Sequence, residues 1–411
     1  MTAMTVAHRS MTLPNGLRIE AEVDPSAATA SVGFFFRTGA RDERPELMGV
    51  SHFLEHMMFK GSERRNAERV NRDFDAIGAN HNAFTSTELT AYFAHVLPEH
   101  IDEATDILAD ILRPSLRPSD FDEEKGVILE EIAMYEDQPP WVLYERGMEL
   151  LYGSHPLSHR VLGTRETIKA LERDRMRDYF VERYSADSCT VAAAGRLDFD
   201  ALVRAVRERC GGWKATGQAR DFPTWTPIER DETVRLPTAT RHYLMLAAPA
   251  PGINDPWRYR AALLADILGD GDGSRLHWAL TEPGLAEEAD ASYDGHDGCG
   301  EFLVTAACEP KRAAEVERIV KAEIATLVES LVEDDLVRSR NKLTTAFTLS
   351  SERPHGRMLR LGMLAAYRAP YLALEEELVR MERIGLDDLR AYAERWPLRP
   401  VLTARLAPDG A

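Results

Sequence analysis

Apolar and polar positions along the chain change period several times, and the changes mark out its elements. Over 17–23 and 30–38 the residues are alternating, β-branched or aromatic, which predicts two strands, with Pro14-Asn15-Gly16 as a turn before the first. A helical period then takes over at 50–59, at 67–77 up to Gly78, and at 102–112 just before Arg113-Pro114. Between these helices, 82–96 reads as one or two strands. Residues 121–136 return to helix through Val127, Ile128, Ile132 and Tyr135. After a Gly-, Pro- and Thr-containing stretch at 211–227 the pattern restarts, with a strand at 242–248 and a helix at 256–268. The expectation is a duplicated α+β unit: a first domain at 1–212, a linker at 213–236 and a second domain at 237–411.

The most telling stretch is Gly49-Val-Ser-His-Phe-Leu-Glu-His-Met-Met-Phe59. On a helix His52 and His56 lie one turn apart on one face, where both imidazoles reach a single metal ion. Glu55 projects toward the same cavity and is placed to take a proton from water. Two histidines and a glutamate also occur on helices without metal. Here Val50, Phe53, Leu54, Met57, Met58 and Phe59 make the helix apolar around most of its circumference, so it should be buried. Burying unpartnered ionisable groups costs roughly 1–3 kcal/mol or more each, and a metal removes that cost. The His-x-x-Glu-His order is the inverted form of the zinc-peptidase motif, which makes zinc the expected ion and hydrolysis the expected chemistry.

Such a site needs a third protein ligand, commonly a carboxylate or another histidine. The 121–136 helix supplies candidates. Glu124 and Glu131 are two turns apart on one stripe, so Glu131 could ligate while Glu124 accepts a hydrogen bond from a ligand histidine. Periodicity does not choose Glu131 over the adjacent Glu130.

Three segments together resemble the pitrilysin or insulinase family of zinc metallopeptidases, in the short form shared with mitochondrial processing peptidase: 49–62, 82–92 (Asn-Ala-Phe-Thr-Ser-Thr-Glu-Leu-Thr-Ala-Tyr) and 124–132 (Glu-Lys-Gly-Val-Ile-Leu-Glu-Glu-Ile). The resemblance implies one zinc per chain, held by His52, His56 and Glu131, with Glu124 as the supporting carboxylate and Glu55 as general base. It implies that Asn82, Ala83, Phe84 and Thr85 form an edge strand that pairs with an extended peptide. The implied fold is two homologous halves, each a mostly antiparallel sheet with helices packed on it, enclosing a peptide-binding chamber. Glu88 stands where the family often has an acidic residue. The second half departs from the family pattern: an arginine and a tyrosine that hold substrate and developing oxyanion are replaced by Leu280 and Glu287, and neither Arg275 nor Tyr293 aligns to their role. The short form commonly pairs two chains, so the resemblance also implies a homodimer, or a heterodimer with a metal-free relative that supplies the arginine and tyrosine.

Composition narrows the alternatives. The net charge of −18 excludes a general nucleic-acid binder, which needs surplus Lys and Arg. Solubility explains the acidity first, and it favours a basic peptide substrate only weakly. No apolar run is long enough for a membrane span. Residues 1–10 have neither an apolar core nor a cleavage pattern, and their single arginine does not suit a transit peptide. Cys189, Cys210, Cys299 and Cys308 lack metal-ligand spacing and read as free thiols of a cytoplasmic protein. Gly271-Asp-Gly-Ser-Arg-Leu276 lacks the Gly-Lys-Ser/Thr ending of a phosphate loop. The leading expectation is therefore a zinc endopeptidase for unfolded or extended peptides. The alternatives are a non-catalytic structural or assembly subunit of the same family, whose metal residues are typically eroded, and a zinc hydrolase acting on something other than peptides.

Overall fold

A computed structural model describes residues 6–409; residues 1–5, part of the stretch expected to carry no targeting signal, lie outside it. The described residues form two compact units. Of these, the first comprises 6–132, 159–221 and 348–371, and the second 133–158, 222–347 and 372–409.

The first unit is built on β1 (Ala7–Thr12), β2 (Arg18–Val23), β3 (Ala30–Phe36), β4 (Asn80–Thr85), β5 (Thr90–Val96) and β6 (Cys189–Gly195), in the order β1-β2-β6-β3-β5-β4. Only β2 and β6 run parallel; every other neighbouring pair is antiparallel. The 82–96 stretch thus divides at the Ser86–Leu89 turn into β4, at the sheet edge, and β5 beside it. Every residue of β3 is buried, which explains why Ala-Ser-Val-Gly-Phe-Phe-Phe is nearly continuous in apolar character rather than alternating. The helices that matter for the site are α1 (Val50–Phe59), α2 (Ala67–Ala76), α3 (Ile101–Ile111) and α4 (Pro118–Glu136).

The second unit repeats this plan with β7 (Arg230–Arg235), β8 (His242–Ala250), β9 (Glu288–Gly295), β10 (Gly300–Cys308) and β11 (Leu402–Ala407) in the order β7-β11-β8-β10-β9. Here β7 and β11 pair in parallel, as β2 and β6 do in the first unit, and the rest antiparallel. Strand for strand, β7-β11-β8-β10-β9 matches β2-β6-β3-β5-β4. The two halves are therefore homologous in topology, and the fold is α+β with two mostly antiparallel sheets.

The units are not two contiguous stretches of sequence, and the difference from a division at 213–236 has a packing cause. Helix α5 (Pro139–Tyr152) belongs to the second unit, where Leu143, Met148 and Leu151 cover Met245, Ala247, Leu402 and Ala404. The Pro354–Ala366 helix belongs to the first, where Met358 and Leu361 cover Phe35, Ala91, Ala192 and Ala194. Each helix meets its sheet through a glycine: a side chain at Gly147 would collide with Met245 of β8, and one at Gly362 with Phe35 of β3. Glu22, buried on β2, adds ion pairs to Arg357 and Arg360 of that helix at 3.1 and 2.6 Å. The expected linker is irregular only as far as 229, because Arg230–Arg235 is β7. Among the described residues no helix is long and apolar enough to cross a membrane, and the four cysteines form no disulfide.

Candidate active site

Helix α1 is held by its apolar residues and by a polar cap. Val50, Phe53, Leu54, Met57 and Met58 are buried, and the Phe53 ring stacks on Phe121 of α4 at 4.9 Å, joining the two helices. The helix begins at Gly49, whose φ of 94° suits glycine and whose missing Cβ leaves room for the Leu162 carbonyl. Its first N–H groups are satisfied by one side chain: Glu43 accepts from Gly49 N and Ser51 N, both at 2.7 Å.

One turn apart on α1, the His52 and His56 rings lie 4.7 Å apart, centroid to centroid. Glu131 of α4 places Oε2 3.8 Å from His52 Nε2 and 3.7 Å from His56 Nε2. Among the described residues this trio is the group whose ligand atoms all lie close enough to share an ion, within 4.8 Å of one another. The separations are too long for hydrogen bonds. They are close to the edge of a tetrahedron with bonds of about 2.0–2.1 Å, roughly 3.4 Å, so the donor set fits zinc. Glu130, the neighbour that periodicity left open, is exposed.

Glu124 and Glu55 flank the trio. Glu124 Oε1 is 2.8 Å from His56 Nδ1, and its other oxygen is 2.6 Å from Lys60 Nζ. Thr85, the last residue of β4, donates its hydroxyl to Glu55 Oε2 at 2.6 Å, so the edge strand touches the glutamate of α1 directly. Burial, then the neighbouring His56, pushes His52 down to about 3, which keeps it neutral with a lone pair available. Burial alone would lower His56, but Glu124, Glu131 and Glu55 together raise it. Glu55 is raised by burial against the opposing pull of the Thr85 hydroxyl, Glu131 is raised by burial, and Glu124 is lowered by its bond to His56.

On β4, Asn82 and Ala83 pair with Phe93 and Tyr92 of β5, and Phe84 and Thr85 with Ala91 and Thr90. The opposite side of β4 pairs with no strand among the described residues. Asn82 is exposed and its side-chain oxygen accepts from Ala83 N at 2.9 Å. Glu88 is not in this group. It is buried in an ion pair with Arg41 and is also met by Arg220. No period or motif marks Arg41, Glu43 or Arg220; the only signal was a run of charges, Arg41-Asp-Glu-Arg44, just ahead of an apolar helix.

In the second unit the positions discussed as departures are all engaged. Leu280 is fully buried, and Glu287 pairs with Arg241. Tyr293 donates its hydroxyl to the Pro251 carbonyl at 2.9 Å. Arg275 donates to Ser330 O at 3.0 Å and to Asp335 at 2.8 Å.

A two-unit α+β chain with an inverted His-x-x-Glu-His helix and a glutamate from a second helix has the construction of a zinc metallopeptidase, and the relatives agree. The family model described as insulinase (peptidase family M16) matches residues 18–165, and that described as peptidase M16 inactive domain matches 170–343. An uncharacterized zinc protease of Mycobacterium tuberculosis (strain H37Rv) is 32% identical, with 100% of this chain and 95% of the relative covered. One of Streptomyces coelicolor is 35% identical over 94% of this chain and 86% of the relative. The solved structure of a protease from Helicobacter pylori shares the fold with a TM-score of 0.92 at 19% identity, covering 98% of this chain and 100% of that one. The chain belongs to the insulinase family, peptidase family M16.

Proposed function

We propose that the chain is a zinc-dependent metalloendopeptidase that hydrolyses unfolded or extended peptides. The observation that carries this reading is the convergence of His52, His56 and Glu131 beside a Glu55 that is tied to an edge strand. His52, His56 and Glu131 would hold one zinc ion. Zinc, when bound, supplies Lewis acidity that polarises a carbonyl and brings the pKa of water to about 7.

The chain's own residues do the rest. A carboxylate can only accept from His56 Nδ1, so Glu124 keeps the proton on that nitrogen and leaves the Nε2 lone pair facing Glu131. Thr85 occupies Glu55 Oε2, so Oε1 is the oxygen left to take the proton from attacking water and deliver it to the leaving amine. Raised by burial, the Glu55 carboxyl is suited to both transfers. The unpaired edge of β4, from Asn82 to Thr85, would add a substrate strand by backbone hydrogen bonds, with little regard to sequence. The donors to the oxyanion would come from a partner chain, a metal-free relative or a second copy. What supports this is that Leu280 is buried and carries no donor while Glu287, Tyr293 and Arg275 are engaged, which favours the metal-free relative over a second copy holding the same residues in the same way.

Zinc analysis of the purified chain, followed by cleavage of an unfolded basic peptide with and without chelator, tests the reading. One zinc per chain and chelator-sensitive cleavage are expected. No bound zinc, or bound zinc with no cleavage even beside a metal-free relative, would favour a non-catalytic subunit.

A further inference from the structure

Glu55 sits on α1 and the hydroxyl that holds it sits on β4, so their 2.6 Å contact depends on whatever fixes that strand's end against the helix. A buried ionic cluster occupies that place. The loop Gly39–Glu43 bonds to the β4–β5 turn through its backbone, with Ala40 N donating to Ser86 O at 3.2 Å and Arg41 N to Thr87 O at 2.8 Å. Its side chains reach both ways. Arg41 pairs with Glu88 in the turn, each about 1% exposed, while Glu43 caps α1 at Gly49 and Ser51.

Arg220 enters this cluster from far along the sequence, one residue before the chain leaves the first unit at Asp221. Its guanidinium holds both oxygens of Asp42, Nε to Oδ1 at 3.0 Å and Nη2 to Oδ2 at 2.8 Å. It also donates to the Glu88 main-chain carbonyl and lies 3.5 Å from that residue's carboxylate. Arg220, Asp42 and Glu88 are each about 2% exposed or less at the side chain. The turn has no slack, because Ser86 N donates to Leu89 O at 2.8 Å, and Thr85 is three residues from Glu88.

Apolar residues of like volume often replace a buried ion pair with no loss of stability, so stability alone does not account for Arg41, Asp42, Glu88 and Arg220 gathered here. What a planar, bidentate guanidinium adds is a fixed orientation. We propose that Arg220 is a positioning residue for Glu55: by clamping Asp42 to Glu88 it holds the Ser86–Leu89 turn against the loop that caps α1, and so keeps the Thr85 hydroxyl on the Glu55 carboxylate. This rests on the reading of Glu55 as the general base.

The test uses Arg220→Lys, which keeps the charge and loses the fork, and the charge-balanced pair Arg220→Met with Asp42→Asn in case the single change does not fold. Zinc content should match that of the unmodified chain. Amide hydrogen exchange in 85–89 should rise about tenfold while α3 is unaffected. The kcat for an unfolded peptide should fall by up to about tenfold, no more than the loss of the Thr85 hydrogen bond to Glu55 itself costs, and KM should change much less. On a Thr85→Val background, where the contact is already gone, the same Arg220 change should cost less than about twofold, because coupled residues are non-additive. Equal losses in both backgrounds, or unchanged exchange at 85–89, would overturn the proposal. The exchange arm decides it even if the unmodified chain cleaves nothing, an outcome that would count against the endopeptidase reading alone.

Discussion

Nδ1 of His56 lies 2.8 Å from the Glu124 carboxylate, which turns the other nitrogen of the same ring toward Glu131, 3.7 Å away. One imidazole therefore links Glu124 to the three residues proposed to hold zinc. Replacing Glu124 with Gln leaves an acceptor but removes the charge that anchors the ring, and it leaves Lys60 with only its 3.7 Å pairing to Glu123 among the described residues. Zinc affinity, measured by competition with a chelator, should weaken about 10- to 100-fold. An unchanged affinity would take Glu124 out of the site.

Glu55 and the ligands should separate cleanly. His52→Ala, His56→Ala and Glu131→Gln each remove one of the three proposed ligands, so zinc content and cleavage should fall together. Glu55→Gln should keep the zinc and lose about 10²- to 10⁴-fold in kcat, the usual span for a positioned general base. Thr85→Val should lie between, near tenfold, as one charge-assisted hydrogen bond is removed. Full activity in zinc-loaded Glu55→Gln would sink the mechanism.

The contrast between Glu131 and Glu88 shows which parts of the site were legible in the sequence. His52, Glu55 and His56 are close in sequence on one helix, so periodicity alone gathers them. Glu124 and Glu131 share a stripe of α4, but choosing Glu131 over Glu130 required the family resemblance, and exposure of Glu130 is visible only in three dimensions. Glu88 carried no readable role, because its partners Arg41 and Arg220 come from 47 and 132 residues away. The two sheets were legible as a pattern that restarts after residue 240. The exchange of α5 and the Pro354–Ala366 helix was not, since an amphipathic helix does not announce which sheet its apolar face will cover. Gly147 and Gly362 mark those contacts only once the opposing Met245 and Phe35 are known.

Acid should remove one specific support of the first unit. Asp106 on α3 accepts from Arg65 of the segment before α2 at 2.6 Å and from Arg209 at 3.0 Å. Burial would raise its carboxyl, but the bonds from Arg65, Arg64 and Arg209 outweigh burial and hold it at about 2, below its usual 3.8. A carboxyl held lower in the folded chain stabilises it above the unfolded value and loses that contribution as pH falls through the folded one. Asp106→Asn should therefore lower Tm at pH 6 to 7, and the gap from the unmodified chain should close between about pH 4 and pH 2. Thermal melts across that range check it; a gap independent of pH would mean that the arginines act through packing rather than charge.

The last expectation concerns the oxyanion. Peptide hydrolysis passes through a tetrahedral intermediate, and each donor aimed at its oxygen is worth roughly 10²–10³ in rate. In the second unit Tyr293 spends its hydroxyl on the Pro251 carbonyl, Arg275 is held by Ser330 and Asp335, Glu287 faces Arg241, and Leu280 carries no donor. Tyr293→Phe should accordingly leave turnover within about twofold while costing roughly 1 kcal/mol of stability for the lost hydrogen bond. The chain purified alone, with zinc bound, should be a slow peptidase, and a metal-free relative that carries an arginine and a tyrosine should raise its kcat by about 10²-fold or more. Cleavage of an unfolded basic peptide at matched zinc content, with and without that relative, decides the matter. High turnover by the chain alone, unchanged by a partner and abolished in Tyr293→Phe, would show that the phenol leaves Pro251 during the reaction and that the chain supplies its own donor.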